Sequence, residues 1–448
     1  MNFNFLDYFI IFLLILTLVD YEEKKNKLIY GIFLIFLVLN LVNLTLIWDT
    51  NLFSLSQWKI IPFFLVLILF FIIAELIEDK SFDIYCLITL VFLGSIILII
   101  SDNLITVYLG LELQTFSIFI LVAKNRHSIK SSEAGLKYFI LGALSSGFFL
   151  LGLTILFLNG FPLNLQSLTL LNYNYVVSVS IVLLSLSFCF KISLFPLHFW
   201  IPDIYEGSSW SVISLLSTLP KISMIAIISQ ILINSNLVLF FSIVSIIIGT
   251  LGSMNQTKVK RLLGYSGISH MGFIMLGYSI LNNNGFVVGN LYLVIYMSLM
   301  ISLFVLIINI NSNSKFIIEF SNLKFTSKLG SITLGLLILS VAGIPPLSGF
   351  ISKWFLLLST VENLYNISSF VIILFSAIGA GYYLRIVKII YFQKKSSFLL
   401  WQSILNKSNP SSKISLVFLG LLLFINITLL INFSFIVDII NLNLLNIN

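Results

Sequence analysis

About fourteen apolar runs, each close to the length of a membrane-crossing helix, fill this chain and leave it few ways to fold. A helix spanning hydrocarbon needs roughly 20 predominantly apolar residues. Runs near that length lie at 5–19, 28–47, 58–77, 83–101, 103–123, 134–158, 175–200, 211–233, 236–254, 262–281, 286–310, 329–358, 366–391 and 414–438. Short polar stretches punctuate them, among them YEEKKNK, EDKSFD, KNRHSIKSSE, MNQTKVKR and NSNSKFIIEFSNLKFTSK. Only 9% of the residues are charged, against about 25% in a soluble domain, so water alone could not solvate the folded surface. No strand alternation is sustained enough for a barrel. The pattern predicts an all-α polytopic membrane protein of about fourteen transmembrane helices.

The basic residues test this parse independently. With the runs numbered as segments 1 to 14, the loops after odd segments hold seventeen Lys and Arg residues, from Lys24 to Lys413, and the loops after even segments hold Lys59 alone. A miscounted segment would scramble that bias. By the positive-inside rule the odd loops face the cytoplasm or matrix, and both termini face the other side. The net charge of +7 is thus topological, which removes the nucleic-acid reading. The first run follows no positive n-region and precedes no A-x-A site, so it reads as a retained span. Cys86 and Cys189 lie within apolar runs and form no CxxC or zinc spacing. With three histidines and no glycine-rich phosphate loop, the expectation is no cofactor and no metal in this chain.

Six basic residues escape the loop rule: Lys137, Lys191, Lys221, Lys353, Arg385 and Lys388. Glu112 joins them near the middle of segment 5. A Lys or Asp at a helix centre costs about 2.5–3.5 kcal/mol on insertion scales, and such groups usually face an interior or a water path. Lys191 precedes Pro196, Lys221 directly follows Pro220, and Lys353 follows the pair Pro345 and Pro346. A proline withholds the hydrogen bond from the carbonyl four residues earlier. Pro196 frees Ile192, and Pro345 and Pro346 free Val341 and Ala342. Irregular backbone at membrane depth survives only in protein or beside water, so a broken helix with a lysine predicts a hydrated ion site. An ordinary proline kink would leave the lysines unexplained. The alternative for Glu112 is a packing carboxylate, and Lys137, Arg385 and Lys388 could snorkel to a surface. His198, between Pro196 and Pro202, is a relay candidate; His270 reads equally as a hydrogen-bonded interior histidine. Asp203 and Glu206 lie close together but bring no nucleophile-and-base set, which argues against an ordinary metabolic enzyme.

Segments 7 and 12 are both broken and both carry a lysine. Their offset of five is odd, which predicts two inverted five-helix repeats, segments 4–8 and 9–13. The expected organisation is an N-terminal three-helix part at 1–82, a first repeat at 83–234, a second at 235–392, and a loop with a last helix at 393–448.

Five stretches carry a resemblance: KISLFPLHFWIPDIYEG at 191–207, GLELQTFSIFILVA at 110–123, EAGLKYFILGALSSG at 133–147, NQTKVKRLLGYSGISHMGF at 255–273 and GIPPLSGFISKW at 343–354. Together they resemble the subunit 2 branch of the antiporter-like membrane subunit family of mitochondrial NADH dehydrogenase (respiratory complex I), a family shared with Mrp-type cation/proton antiporters. Family members usually carry a proline soon after the Tyr-Glu-Gly, where this chain reads YEGSSWS. The resemblance implies that Glu112, Lys137, Lys191, Lys221 and Lys353 form a proton relay across a half-membrane, coupled to ubiquinone reduction elsewhere. It implies other complex I subunits as partners, with antiporter-like neighbours on both flanks and membrane lipid around them. FMN and iron–sulfur clusters would sit in those partner subunits, and the site would be the mitochondrial inner membrane, with a bacterial plasma membrane as second choice. Glu112 and a partner lysine, Lys137 or Lys191, would alternate between paired and separated. An Mrp-type cation/proton antiporter subunit is the alternative function, and a scaffold with a vestigial path is a third reading that the retained charges oppose.

Overall fold

The computed structural model describes residues 59–77, 81–125, 127–165, 175–231, 235–280, 282–310, 315–323, 327–393, 419–424 and 426. Segments 1 and 2, most of segment 14, and the loop residues Lys24, Lys25, Lys27, Lys80, Arg126, Lys324, Lys394, Lys395, Lys407 and Lys413 lie outside them.

The described residues form helices α1 (Ile60–Leu76), α2 (Phe82–Ile100), α3 (Leu104–Val122), α4 (Ile129–Leu158), α5 (Tyr175–Ile192), α6 (Trp200–Gly207), α7 (Trp210–Ile231), α8 (Ser235–Met254), α9 (Val259–Ser279) and α10 (Asn283–Asn309). A 3-10 turn at Ile317–Asn322 precedes α11 (Lys328–Ala342), α12 (Ser348–Glu362) and α13 (Asn366–Phe392). No strand occurs among the described residues; two isolated bridges, Asn103 with Asn164 and Lys258 with Phe316, tie loops together. Eight of these helices are long and apolar enough to cross a membrane. Helices α7 and α10 are almost wholly buried, whereas α4, α8 and α13 turn most of their surface outward. Arg385 and Lys388 are exposed on α13.

Small residues set the closest approaches, as expected where no hydrophobic force drives helices together in lipid. A Cβ on Gly94 of α2 would come within 2.7 Å of Gln114 on α3, and one on Gly110 within 2.8 Å of Leu98.

Several boundaries differ from the hydropathy parse, two of them at helix starts that carry basic residues. Helix α4 begins at Ile129 rather than 134, and α9 at Val259 rather than 262. Lys130, Lys260 and Arg261 therefore sit on first helical turns and not in loops. Hydropathy misses such turns because their residues are polar. In α4 the i,i+4 pair Glu133–Lys137, at 2.7 Å, supports the extra turns.

Segments 7 and 12 are broken where their prolines stand, and the two breaks use one backbone motif. After α5, the N–H of Ser193 donates to Phe190 and that of Leu194 to Cys189. After α11, Gly343 donates to Ser340 and Ile344 to Leu339. Both are Schellman caps, closed by a residue in the left-handed region: Ser193 at φ 74° and Gly343 at φ 80°. A cis peptide follows each, Phe195–Pro196 and Pro345–Pro346. At the YEGSSWS departure, α6 ends on Gly207 and the Ser208 hydroxyl donates to the Ile204 carbonyl before α7 begins.

Candidate functional site

Three of the membrane charges isolated in the sequence, Lys191, Lys221 and Lys353, lie at these two breaks and on the core helix α7. Lys191 lies on the last turn of α5 and Lys221 in mid-α7, just after Pro220, with 7% and 1% of their surfaces exposed. Neither amine has a hydrogen-bond partner among the described residues. Lys191 Nζ instead stands 5.6 Å over the Phe190 ring. That ring packs against Trp200 and Tyr138, and the Trp200 indole N–H donates to the Phe190 carbonyl at 3.0 Å, which ties α6 back across the break.

Lys353, on α12, reaches back over its own break. Its Nζ donates to the Ala342 carbonyl at 2.6 Å, one of the two acceptors that the prolines free. The amine also lies 6.0 Å from the Phe273 ring. Across the other break the Ile192 carbonyl accepts the Ser193 hydroxyl, and Lys191 makes no corresponding bond.

Glu112 is half-buried in mid-α3, where the Thr115 hydroxyl donates to its carboxylate at 3.2 Å. Its charge reaches Lys191, but it forms an ion pair with neither Lys191 nor Lys137. Two residues on, the Gln114 amide donates to the Ser223 hydroxyl at 3.2 Å, which fastens α3 to α7. His198 sits in the first break, 3% exposed, beside the rings of Phe195 and Phe199.

Lys137 belongs to a different arrangement. Its amine holds Asp203 and Glu133, each at 2.7 Å, at the polar end of α4. Beside it Glu206 collects Lys130 at 2.5 Å, Lys258 at 2.6 Å and Arg261 at 3.3 Å. Burial alone would raise the Glu206 carboxyl, but hydrogen bonds from Lys130 and Lys258 outweigh it and hold the group at about 2. The short α6 is thus fixed to α4 on one side and to the start of α9 on the other. Asp203 and Glu206, which no catalytic set accompanies in the sequence, are the anchors of this clamp.

One cluster was not legible in the sequence. His270, on α9, hydrogen-bonds Tyr292 of α10 at 2.9 Å through Nδ1 and Tyr383 of α13 at 3.3 Å through Nε2. It stacks on Tyr296 with centroids 4.9 Å apart. The hydrogen-bonded interior histidine of the sequence reading is what the fold contains. Its tyrosine partners come from two other helices, and only the polar hydroxyls in otherwise apolar runs could have pointed to them.

Residues 101–381 match the family model described as NADH:quinone oxidoreductase/Mrp antiporter, transmembrane. The chain is 41% identical over 324 residues to NADH-ubiquinone oxidoreductase chain 2 of Metridium senile, covering 70% of this chain and 84% of the relative. To NADH-quinone oxidoreductase subunit N 1 of Rhizobium meliloti it is 34% identical over 335 residues, covering 71% of this chain and 70% of the relative. Its fold is similar to that of a chain of respiratory complex I from Thermus thermophilus with bound aureothin, with a TM-score of 0.84 at 22% identity over 96% of this chain and 97% of that one. The broken helices, the lysines beside them and these matches agree, and the chain belongs to the NADH:quinone oxidoreductase/Mrp antiporter membrane family.

Proposed function

We propose that this chain is a membrane subunit of a proton-translocating NADH:quinone oxidoreductase and moves protons along Glu112, Lys191, Lys221 and Lys353. The observation that carries this reading is the pair of buried amines at Lys191 and Lys221, which have no partner among the described residues. Packing has no use for such groups, since each is costly in a membrane interior and apolar side chains would fill the space. A proton path does use them, because an amine without a fixed partner can take up and release a proton.

Moving one proton against a membrane potential requires about 2.3 kcal/mol per 100 mV. One pKa unit is about 1.36 kcal/mol, so a swing of about three units on one amine meets a realistic potential. Bringing a carboxylate up to a desolvated lysine, or withdrawing it, produces swings of that size. Glu112 is the carboxylate, and Lys191 is the nearer partner in charge, because the Lys137 amine is already held by Asp203 and Glu133. Closure of Glu112 on Lys191 holds a proton there; parting sends it on through Lys221 toward Lys353. His198 lies in the hinge of this movement.

The shared Schellman caps support reading 83–234 and 235–392 as inverted halves, with 1–82 and 393–448 outside them. Redox chemistry on FMN and iron–sulfur clusters would take place in partner subunits, with quinone reduced there too. The outward helices α4, α8 and α13 suit antiporter-like neighbours and lipid. The membrane is the mitochondrial inner membrane, as the Metridium senile relative suggests.

Lys191→Met or Lys221→Met in the assembled complex should abolish most coupled turnover while unfolding no earlier than the native protein. Native turnover with native proton stoichiometry would end this reading. Sodium-dependent proton flux from the isolated chain would favour the antiporter instead.

A further inference from the structure

Beyond the lysines themselves, one more buried polar atom matters, and one glycine explains how it relates to them. Tyr296 is a buried side chain of α10, and its hydroxyl, like the amine of Lys221, has no hydrogen-bond partner among the described residues. Buried polar groups in proteins are nearly always hydrogen-bonded, to protein or to an ordered water. Both orphans face the same place. A Cβ built on Gly267 of α9 would lie 3.4 Å from the Tyr296 oxygen and 3.6 Å from Lys221 Nζ, with no other atom near it. The two atoms are therefore no farther apart than those two distances laid end to end. No hydrogen bond joins them directly. One or two water molecules span such a gap with ordinary hydrogen bonds.

We propose that the notch left by the absent side chain of Gly267 is a water site that joins Lys221 to the Tyr296 hydroxyl, and that Tyr296 positions this water in the proton path. This rests on the relay reading above and assigns it a new element. The amine and the phenol supply two partners for the water, the minimum that a buried water usually has. The Tyr296 ring lies against His270, whose own hydrogen bonds run to Tyr292 and Tyr383, so the phenol is held in place beside the lysine. The hop conserves every atom. A proton leaving Nζ binds the water oxygen, so the lysine ends neutral and the water one proton richer, and the return of that proton reverses the step; the phenol keeps its own proton and holds the water by a hydrogen bond.

Gly267 offers an unusually clean probe, because an added methyl would make only van der Waals contacts there and would not force the helices apart. Gly267→Ala should displace the water and lower the protons moved per NADH oxidised by at least several-fold, with no fall in thermal stability. Gly267→Ser places a hydroxyl in the same notch and should restore much of that loss. Tyr296→Phe keeps the ring on His270 but removes the oxygen, and should match the alanine variant. Lys221→Met serves as the control for the relay as a whole. If it pumps normally, the relay and this proposal both fall. If it fails to pump while Gly267→Ala and Tyr296→Phe behave as native, the water site alone falls. Equal damage from the alanine and serine variants would assign Gly267 to packing and overturn the proposal.

Discussion

Gly343 closes the second break, and changing it should disturb Lys353 in two separable ways. Its φ of 80° lies in the left-handed region, where an L side chain costs about 1–2 kcal/mol. Independently, a Cβ at 343 would lie 2.8 Å from Lys353 Cδ and 3.0 Å from its Nζ, so the lysine must leave its present course. That movement also puts at risk the hydrogen bond to the Ala342 carbonyl, and bonds to charged groups contribute about 1.5–3 kcal/mol. Gly343→Ala should therefore loosen the cap by at least 1–2 kcal/mol, a factor of roughly 5–30 in its opening equilibrium. Hydrogen–deuterium exchange of the 343–344 amides, which donate to Ser340 and Leu339, reads this directly as exchange faster by about that factor. Proton translocation per NADH should fall in the same variant. Gly343→Asn separates the causes, since asparagine tolerates left-handed backbone while still pressing on Lys353. It should exchange nearly as slowly as the native chain yet translocate poorly. Native exchange and native translocation in Gly343→Ala would refute the account of this break.

The clamp and the opposite loops give two further expectations. Glu206→Gln should lower the unfolding temperature of the complex and make it more salt-sensitive, by leaving Lys130, Lys258 and Arg261 without their shared acceptor. Because the Glu206 carboxyl is depressed from 4.5 to about 2, its contribution is present above the unfolded value and lost only as pH falls below it. The native clamp should accordingly hold between about pH 5 and pH 8, and a calorimetric loss across that window traceable to residue 206 would contradict the pairing. Lys59→Met should cost about 3 kcal/mol or more, because Lys59 is 1% exposed and holds Asp102 at 2.6 Å, and the carboxylate would stay behind in a largely enclosed site. Denaturant titration of the complex measures it, and a native midpoint would show that the pair contributes little.

The helical fold could be read from the sequence because hydrocarbon imposes one rule on every segment, so run length alone places most helix ends within two or three residues. Where the ends were missed, at 129 and 259, the first turns carry Lys130, Lys260 and Arg261, and a hydropathy window sees only polar residues there. The breaks could be placed because proline acts locally, through its missing N–H; even the acceptor used by Lys353 follows from counting back four residues from Pro346. Pairings across the fold could not. Asp203 meets Lys137 across 66 residues and His270 meets Tyr383 across 113, and no local pattern encodes such distances. Gly267 was equally hidden, because a gap becomes visible only when the side chains around it have been placed.

The acceptor for Lys353 is main chain, and this affects how the contact can be lost. A small side chain such as serine at residue 342 still presents the same oxygen and leaves the bond intact, whereas a large one would not fit a site only 3% exposed. Disruption has to come through the course of the backbone, which hands control of that lysine to Gly343 and the two prolines beyond it. Screens by small substitutions would report Ala342 as unimportant while it continues to hold the amine in place.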